Sequence, residues 1–303
     1  MARVLVADPV EESALQKMQN AGLELVVRDE EKDGPIENQI KGFDCIVVRS
    51  ATKVTKEVIQ AADTLKLVVR AGVGLDNVDI EAAEKAGVKV LNTPEAPTVS
   101  VAEMVFSLMF GLARNVAQAD SSMKGERWEK KNLTGTELWK KTLGVVGYGR
   151  IGQEVGKRAG ALDMEVLAYD VIDIEAACRE TGAVSVTLDE LIERSDFITL
   201  HVPLLPQTKN MFGTEQFKRM KNTAFLVNTA RGGVVDEAAL LDALNEGLIA
   251  GAGLDVFESE PPKDWELVRH PKLVATPHLA SSTREAQSRV GDLTAEKVIR
   301  ELA

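Results

Sequence analysis

Residues 142–152 read TLGVVGYGRIG. The apolar run LGVV suits a strand, glycines follow at 147, 149 and 152, and the next segment, IGQEVGKRAGAL, suits a helix. A second apolar run, MEVLAYD, then ends in Asp170, 23 residues beyond Gly147. Glycines alone mark many turns. Strand, glycine turn, helix, strand and acid in this order form the fingerprint of a dinucleotide-binding βαβ unit, with Gly147, Gly149 and Gly152 shaping the turn. Gly149 lets the backbone approach a pyrophosphate, and the helix N-terminus offers free N–H groups and the positive end of its dipole. Asp170 suits the adenosine ribose. Its charge repels a 2′-phosphate and no arginine follows in VIDIEAA, so the expected cofactor is NAD rather than NADP.

About 140 residues precede this unit, where a simple nucleotide-binding domain would begin almost at once. A chain of 303 residues is long enough for two domains. Its 45% hydrophobic and 27% charged content is that of an ordinary globular protein, without a stretch of 18 uncharged apolar residues to span a bilayer. The opening MARVLVADPVEES has neither a long apolar core nor a small-residue cleavage site, so a cytoplasmic protein is expected. Cys45 and Cys178 lie far apart in or beside apolar sequence, which gives neither a disulfide framework nor a metal site. With 36 basic and 47 acidic residues the net charge is −11, which disfavours non-specific nucleic-acid binding.

Short β-branched runs recur before the glycine turn: RVLVADP (3–9), LELVVRD (23–29), FDCIVVRS (43–50), LKLVVRAG (65–72) and VKVLNTP (88–94). Helix-compatible segments such as EESALQKMQNAG and TKEVIQAAD alternate with them, as in right-handed βαβ units on a parallel sheet. Residues 1 to about 95 are therefore expected to form a five-strand α/β unit. SVAEMVFSLMFGLARNVAQA (100–119) predicts one long helix, opened by a capping box of Ser100 and Glu103. Six strands are expected beyond it, in TLGVVGYG, MEVLAYD, DFITLHVP, AFLVNTARG, IAGAGLDVF and LVATPH. Ser282 and Glu285 predict the start of a last helix, which could pack on either domain. The two domains are expected to join through helices and to meet at a cleft.

Taking a proton from a hydroxyl while a hydride leaves needs a base, and histidine suits neutral pH. For His201, in TLHVPL, a structural role competes evenly with a catalytic one, and His270, in VRHPKLV, reads as a polar turn. His278 follows a strand and precedes small residues, where ligands bind in open α/β sheets, and is the best base. Arg231, in VNTARGGVVDEAAL, could grip a carboxylate bidentately. Glu260, in DVFESEPP, could sit beside the imidazole and favour its charged form.

The series RAGVGLDNVD (70–79), GYGRIG (147–152), HVPLLPQT (201–208), NTARGGVVDEAAL (228–240), AGLDVFESEPP (252–262) and PHLASST (277–283) resembles the D-isomer-specific 2-hydroxyacid dehydrogenases over nearly the whole chain. VRSATKVT (48–55), WEKKNLTGTEL (128–138) and the late EAQSR resemble the phosphoglycerate dehydrogenases within that family. The resemblance implies an α/β fold of two doubly wound parallel sheets: a Rossmann cofactor domain (96–280) inserted into a flavodoxin-like substrate domain (1–95 and 281–303). It also implies that Arg231 anchors the substrate carboxylate, that Glu260 orients and charges His278, and that His278 exchanges the hydroxyl proton. Asp255 would lie near the nicotinamide, Thr229, Ala230, Arg150 and Ile151 would line the cofactor, and backbone amides at Gly72 and Val73 would help hold the carboxylate. Where several relatives carry a hydroxyl residue, this chain has Val73 and Val202. Many phosphoglycerate dehydrogenases continue into serine-binding regulatory domains, so no such feedback is expected here. Formate dehydrogenases pair their histidine with glutamine, which Glu260 argues against.

A phosphate on the third carbon needs cations. Arg49 and Arg70 stand at strand ends of the first domain, with Ser50 and Thr52 as further donors. The expected reaction is therefore NAD-dependent oxidation of 3-phospho-D-glycerate, the opening step of serine synthesis. The alternatives are a glyoxylate, hydroxypyruvate or D-lactate type enzyme, or a non-catalytic NAD-sensing corepressor. A homodimer through residues 98–140 is expected, with Lys130 in the exposed basic segment KGERWEKKN reaching the neighbouring subunit's phosphate.

Overall fold

The computed structural model describes residues 1–29 and 33–303, in two compact units: residues 1–97 with 282–303, and residues 98–281. The first unit contains β1 (Arg3–Val6), α1 (Glu12–Asn20), β2 (Glu24–Val27), β3 (Cys45–Val48), α2 (Lys56–Ala61), β4 (Leu67–Arg70), α3 (Ile80–Lys85) and β5 (Lys89–Asn92). Its five strands are parallel in the order β2-β1-β3-β4-β5, the flavodoxin-like arrangement. The inner strands are continuously apolar because both faces are covered. Val4, Val6, Cys45, Val47, Leu67 and Val69 face one cluster, whereas Leu5, Ile46, Val48 and Val68 face the other. This is the two-residue alternation of a strand.

The second unit begins with α4 (Thr98–Ala113) and α5 (Val116–Lys124). Then come β6 (Thr142–Val146), α6 (Arg150–Ala161), β7 (Glu165–Tyr169), α7 (Glu175–Thr181), β8 (Val184–Ser185), α8 (Leu188–Arg194) and β9 (Phe197–Leu200). It closes with α9 (Thr214–Arg219), β10 (Phe225–Asn228), α10 (Glu237–Glu246), β11 (Gly251–Leu254) and β12 (Leu273–Ala275). The parallel sheet runs β12-β11-β10-β9-β6-β7-β8, so the strand order reverses between β6 and β9. Ligands bind outside the carboxyl ends of strands at such a switch point. The last helix, α11 (Arg284–Leu302), returns to the first unit: Val290, Ala295 and Val298 join the cluster under α1, and Lys17 pairs with Asp292.

Four local expectations need correction. The second sheet has seven strands, not six; β8 is two exposed residues at the sheet edge, too short to leave an apolar pattern. Ser100 does not cap a helix, because α4 starts at Thr98 and buries Ser100 within its first turn. The single helix expected over 100–119 is two, broken at Asn115, whose left-handed φ of 52° stops helical propagation. At α11 the cap is Thr283, whose hydroxyl accepts the Ala286 amide at 3.1 Å, one residue later than expected. No single helix among the described residues is long and apolar enough to cross a membrane; α4 and α5 reach that length only together, bent by 63°.

Candidate active site

The chain leaves β6 through Gly147, which has a φ of +88°. A β-carbon there would lie 2.6 Å from the carbonyl oxygen of His201, which directly follows the neighbouring strand β9. Gly152 permits the next close approach: a side chain at this position of α6 would overlap the Gly147 carbonyl. Gly149 differs from both. It precedes the first residue of α6, and a β-carbon on it would project into open space, beside exposed Arg150 and partly exposed Ile151. Asp170, just past β7, accepts the Tyr148 amide on Oδ2 and the Val171 amide on Oδ1, both at 2.7 Å. The acid therefore braces the glycine turn, and a carboxylate keeps further lone pairs for a ligand hydroxyl.

These features fit a dinucleotide. Gly149 leaves its approach to the helix N-terminus clear. Thr229, one residue past β10, is buried and its hydroxyl has no hydrogen-bond partner among the described residues. An unsatisfied buried group costs about 1–3 kcal/mol, which a ligand's polar atoms would relieve. Next to it, the Ala230 amide is engaged by Asn228 Oδ1 at 3.0 Å, so of this pair the hydroxyl is the group left for a ligand.

Strands β10, β11 and β12 bring three loops to the same sheet edge, with Asn228, Leu254 and Ala275 in register. Arg231 follows β10, Glu260 follows β11 and His278 follows β12. Asn228 shapes the first loop by donating to the Arg231 carbonyl at 2.9 Å, and Arg231 Nη1 folds back to the Ala230 carbonyl at 2.6 Å. Gly232 lies against the second loop so closely that a β-carbon would overlap the Phe257 carbonyl. In that loop the Phe257 amide donates to Glu260 Oε1 at 3.2 Å, and Glu260 Oε2 meets His278 Nδ1 at 2.7 Å. A carboxylate only accepts, so Nδ1 carries the proton and Nε2 is left for a substrate. The His278 and Glu260 side chains are 46% and 41% exposed, accessible rather than core groups.

Asp255, expected near the nicotinamide, has structural partners of its own. It is fully buried, and its carboxylate accepts from Thr276 Oγ1 at 2.5 Å and from the Leu279 and Ala280 amides at 2.7 and 2.8 Å. Its carbonyl accepts the His278 amide at 2.8 Å. Asp255 thus builds the turn that presents His278, which adopts a left-handed φ of 53°. Of the other histidines, burial pushes the pKa of His201 down to about 3, and its Nε2 pairs with Thr199 Oγ1 at 3.0 Å. Burial thus disfavours the imidazolium that a base forms when it takes up the hydroxyl proton. His270 is lowered by burial and then by Lys272, and its Nδ1 accepts the Lys272 amide at 3.1 Å, as a polar turn would.

In the first unit, Arg49 and Arg70 share one sheet edge, because Val48 pairs with Arg70. The Arg70 guanidinium lies over Gly72, whose φ of +148° and missing side chain make room for it. Arg49 instead lines a cavity of about 560 Å³ with Glu11, Ser282, Thr283, Arg284 and Gln287. Ser50 and Val73 are not among its lining residues. The Thr52 hydroxyl, expected as a donor to substrate, is buried and bonded to Asp8 Oδ1 at 2.6 Å. The Gly72 amide is likewise engaged, donating to the Arg70 carbonyl at 2.9 Å. Sequence reasoning missed Asp8, whose Oδ2 accepts the Arg49 amide at 2.5 Å, and Asn77, which holds the Arg49 and Thr52 carbonyls. It also missed Arg284 and Gln287, which a helical spacing just beyond Thr283 would have placed together. Lys130 lies exposed in a short 3-10 turn, Lys130–Asn132.

Residues 106–280 match the model of the D-isomer specific 2-hydroxyacid dehydrogenase NAD-binding domain. The chain belongs to the D-isomer-specific 2-hydroxyacid dehydrogenase family. Within this family it is 47% identical, over 299 residues and 98% of its length, to the D-3-phosphoglycerate dehydrogenase of Methanocaldococcus jannaschii, covering 57% of that relative. It is also 47% identical to the hydroxypyruvate reductase of Thermotoga maritima, covering 99% of this chain and 98% of that relative. The D-lactate dehydrogenase of Aquifex aeolicus, solved with NAD and lactic acid, superposes with a TM-score of 0.85 at 33% identity, over 98% of this chain and 94% of that one. The chain spans little more than half the length of the phosphoglycerate dehydrogenase relative and nearly all of the other two. As a 2-hydroxyacid dehydrogenase family member it carries the family's NAD-binding domain, which includes the glycine turn, Asp170 and Thr229.

Proposed function

We propose that the protein oxidises 3-phospho-D-glycerate to 3-phosphooxypyruvate with NAD, the first step of serine biosynthesis. NAD, when bound, supplies the hydride acceptor. His278 takes the substrate's hydroxyl proton at Nε2. Glu260 holds Nδ1 and stabilises the imidazolium that results, and Arg231 grips the carboxylate next to the reacting carbon. Gly149, Arg150, Ile151, Asp170 and Thr229 hold the cofactor, with Ala230 beside them.

The observation that carries the phosphate assignment is the cavity beside Arg49. It is lined by two guanidinium groups, Arg49 and Arg284, and neither side chain forms an ion pair among the described residues. In a chain of net charge −11, cations are left on a cavity wall where a dianion is to be received. Arg49→Ala is expected to raise KM for the phosphorylated acid about 10- to 100-fold, the loss of a charge-assisted hydrogen bond of about 1.5–3 kcal/mol. KM for glycerate should barely move. Equal losses on both acids would remove the phosphate from this site and favour the second reading, a hydroxypyruvate-type reductase, which the Thermotoga relative supports.

We also infer a homodimer through residues 98–140. Val99, Phe110, Val116, Met123, Trp128 and Trp139 are exposed there, Trp128 by 79%, and a monomer gains nothing by leaving so much apolar surface in water. Lys130 stands in the same stretch, where it could reach a neighbouring subunit's phosphate. Sedimentation equilibrium at micromolar concentration is expected to give twice the 32.8 kDa chain mass. A species of single-chain mass would overturn the dimer and, with it, the role of Lys130.

A further inference from the structure

Glu237 is the first residue of α10, directly after the helix cap Asp236. Its side chain serves the loop that follows β11 rather than its own helix: Oε1 accepts the Glu258 amide at 2.6 Å. The group is half-buried, and burial, then the neighbouring Glu258 carboxylate, raise its pKa above the ordinary glutamate value. Holding a carboxylate where its charge is disfavoured costs stability, so the bond to the loop has a constraint to satisfy.

The loop is clamped at consecutive positions. The Phe257 carbonyl lies against Gly232, the Phe257 amide donates to Glu260 Oε1 at 3.2 Å, and the Glu258 amide donates to Glu237. The other oxygen of Glu260 meets His278 at 2.7 Å. If the Glu258 amide were released, the segment from Phe257 to Glu260 could uncurl, and Glu260 could no longer satisfy the Phe257 amide and His278 together.

We propose that Glu237 is a positioning residue for proton transfer: by holding the Glu258 amide it fixes the loop that aims Glu260 at His278. It touches neither substrate nor cofactor and acts through Glu260. The inference rests on His278 being the proton acceptor of the proposed reaction.

The test compares Glu237→Ala, which removes the acceptor, with Glu237→Gln, which keeps an Oε1 in place and discards the charge. Glu237→Asp, one methylene shorter, serves if the alanine variant does not fold. The chain has only three histidines, so the 15N shifts of histidine-labelled protein isolate His278 Nδ1. Glu237→Ala is expected to move that resonance away from its carboxylate-bonded position and to lower kcat by about 3- to 30-fold, with KM for both substrates nearly unchanged. Glu237→Gln should restore both. A Nδ1 resonance and kcat that stay at wild-type values in Glu237→Ala, or a glutamine variant as impaired as the alanine one, would overturn the proposal. The resonance needs no turnover, so it reports the clamp even if the assignment of His278 to proton transfer fails.

Discussion

Replacing His278 with asparagine is expected to lower kcat by about 10²- to 10⁴-fold, the usual contribution of a general base. Asparagine is the informative choice because position 278 has a φ of 53°, a left-handed conformation that asparagine tolerates better than alanine. It can still bond Glu260 but cannot take up a proton. The imidazole is nearly half exposed and pairs with Glu260, so its loss opens no cavity. Thermal stability and the dissociation constant of NAD, read by fluorescence titration, should remain close to wild type. A kcat within tenfold of wild type would move the proton to another group. His201 is a poor substitute, because burial makes it a weak base.

Gly232→Ala should have the second large effect, and on stability as well as rate. The added methyl would overlap the carbonyl of Phe257, a backbone atom that cannot rotate aside as the end of a long side chain can. Overpacking of this kind costs about 1–3 kcal/mol, or a fall in Tm of roughly 3–10 °C for a unit of this size. The loop it displaces carries Glu260, so kcat should also fall by about tenfold or more, since a shift of ~1 Å at a reacting group can cost ~10²-fold. Gly149→Ala is the internal comparison, because a β-carbon there meets nothing within 4 Å. Its Tm should not move. Wild-type melting and turnover in Gly232→Ala would mean that the close approach to Phe257 does not constrain the loop.

The long parallel strands were legible because both their faces are covered, which writes uninterrupted apolar runs such as CIVV and LGVV into the chain. The glycine turn was legible for a different reason: each glycine answers a backbone constraint, and such constraints fall at fixed spacings. What stayed hidden depends on contacts between distant residues. Nothing in VADPV says that Asp8 will hold the Arg49 amide and the Thr52 hydroxyl, more than forty residues away. Asp255 was seen as an acid beside a ligand site, but only the fold brings Thr276, Leu279 and Ala280 round to occupy it. Arg70 is similar: its position at a strand end was legible, but the direction of its long side chain, over Gly72, was not. The broken helix was missed because α4 and α5 keep an apolar pattern through Asn115, and one left-handed residue leaves no trace in periodicity.

The first unit is built from both sides of a long intervening segment, its five strands from before it and its last helix from after it. One face of its sheet is closed by α11, whose Val290, Ala295 and Val298 join a cluster begun by Val4 and Val6. The second unit is continuous from Thr98 to Ser281 and has all its strands and helices once residue 281 is made. On the ribosome the chain must therefore complete its middle before its beginning. The earliest strands to be synthesised wait with one apolar face covered only in part, by Ala14 and Met18 of α1, until residues 284–302 emerge, so that face is where a nascent chain most needs protection from aggregation.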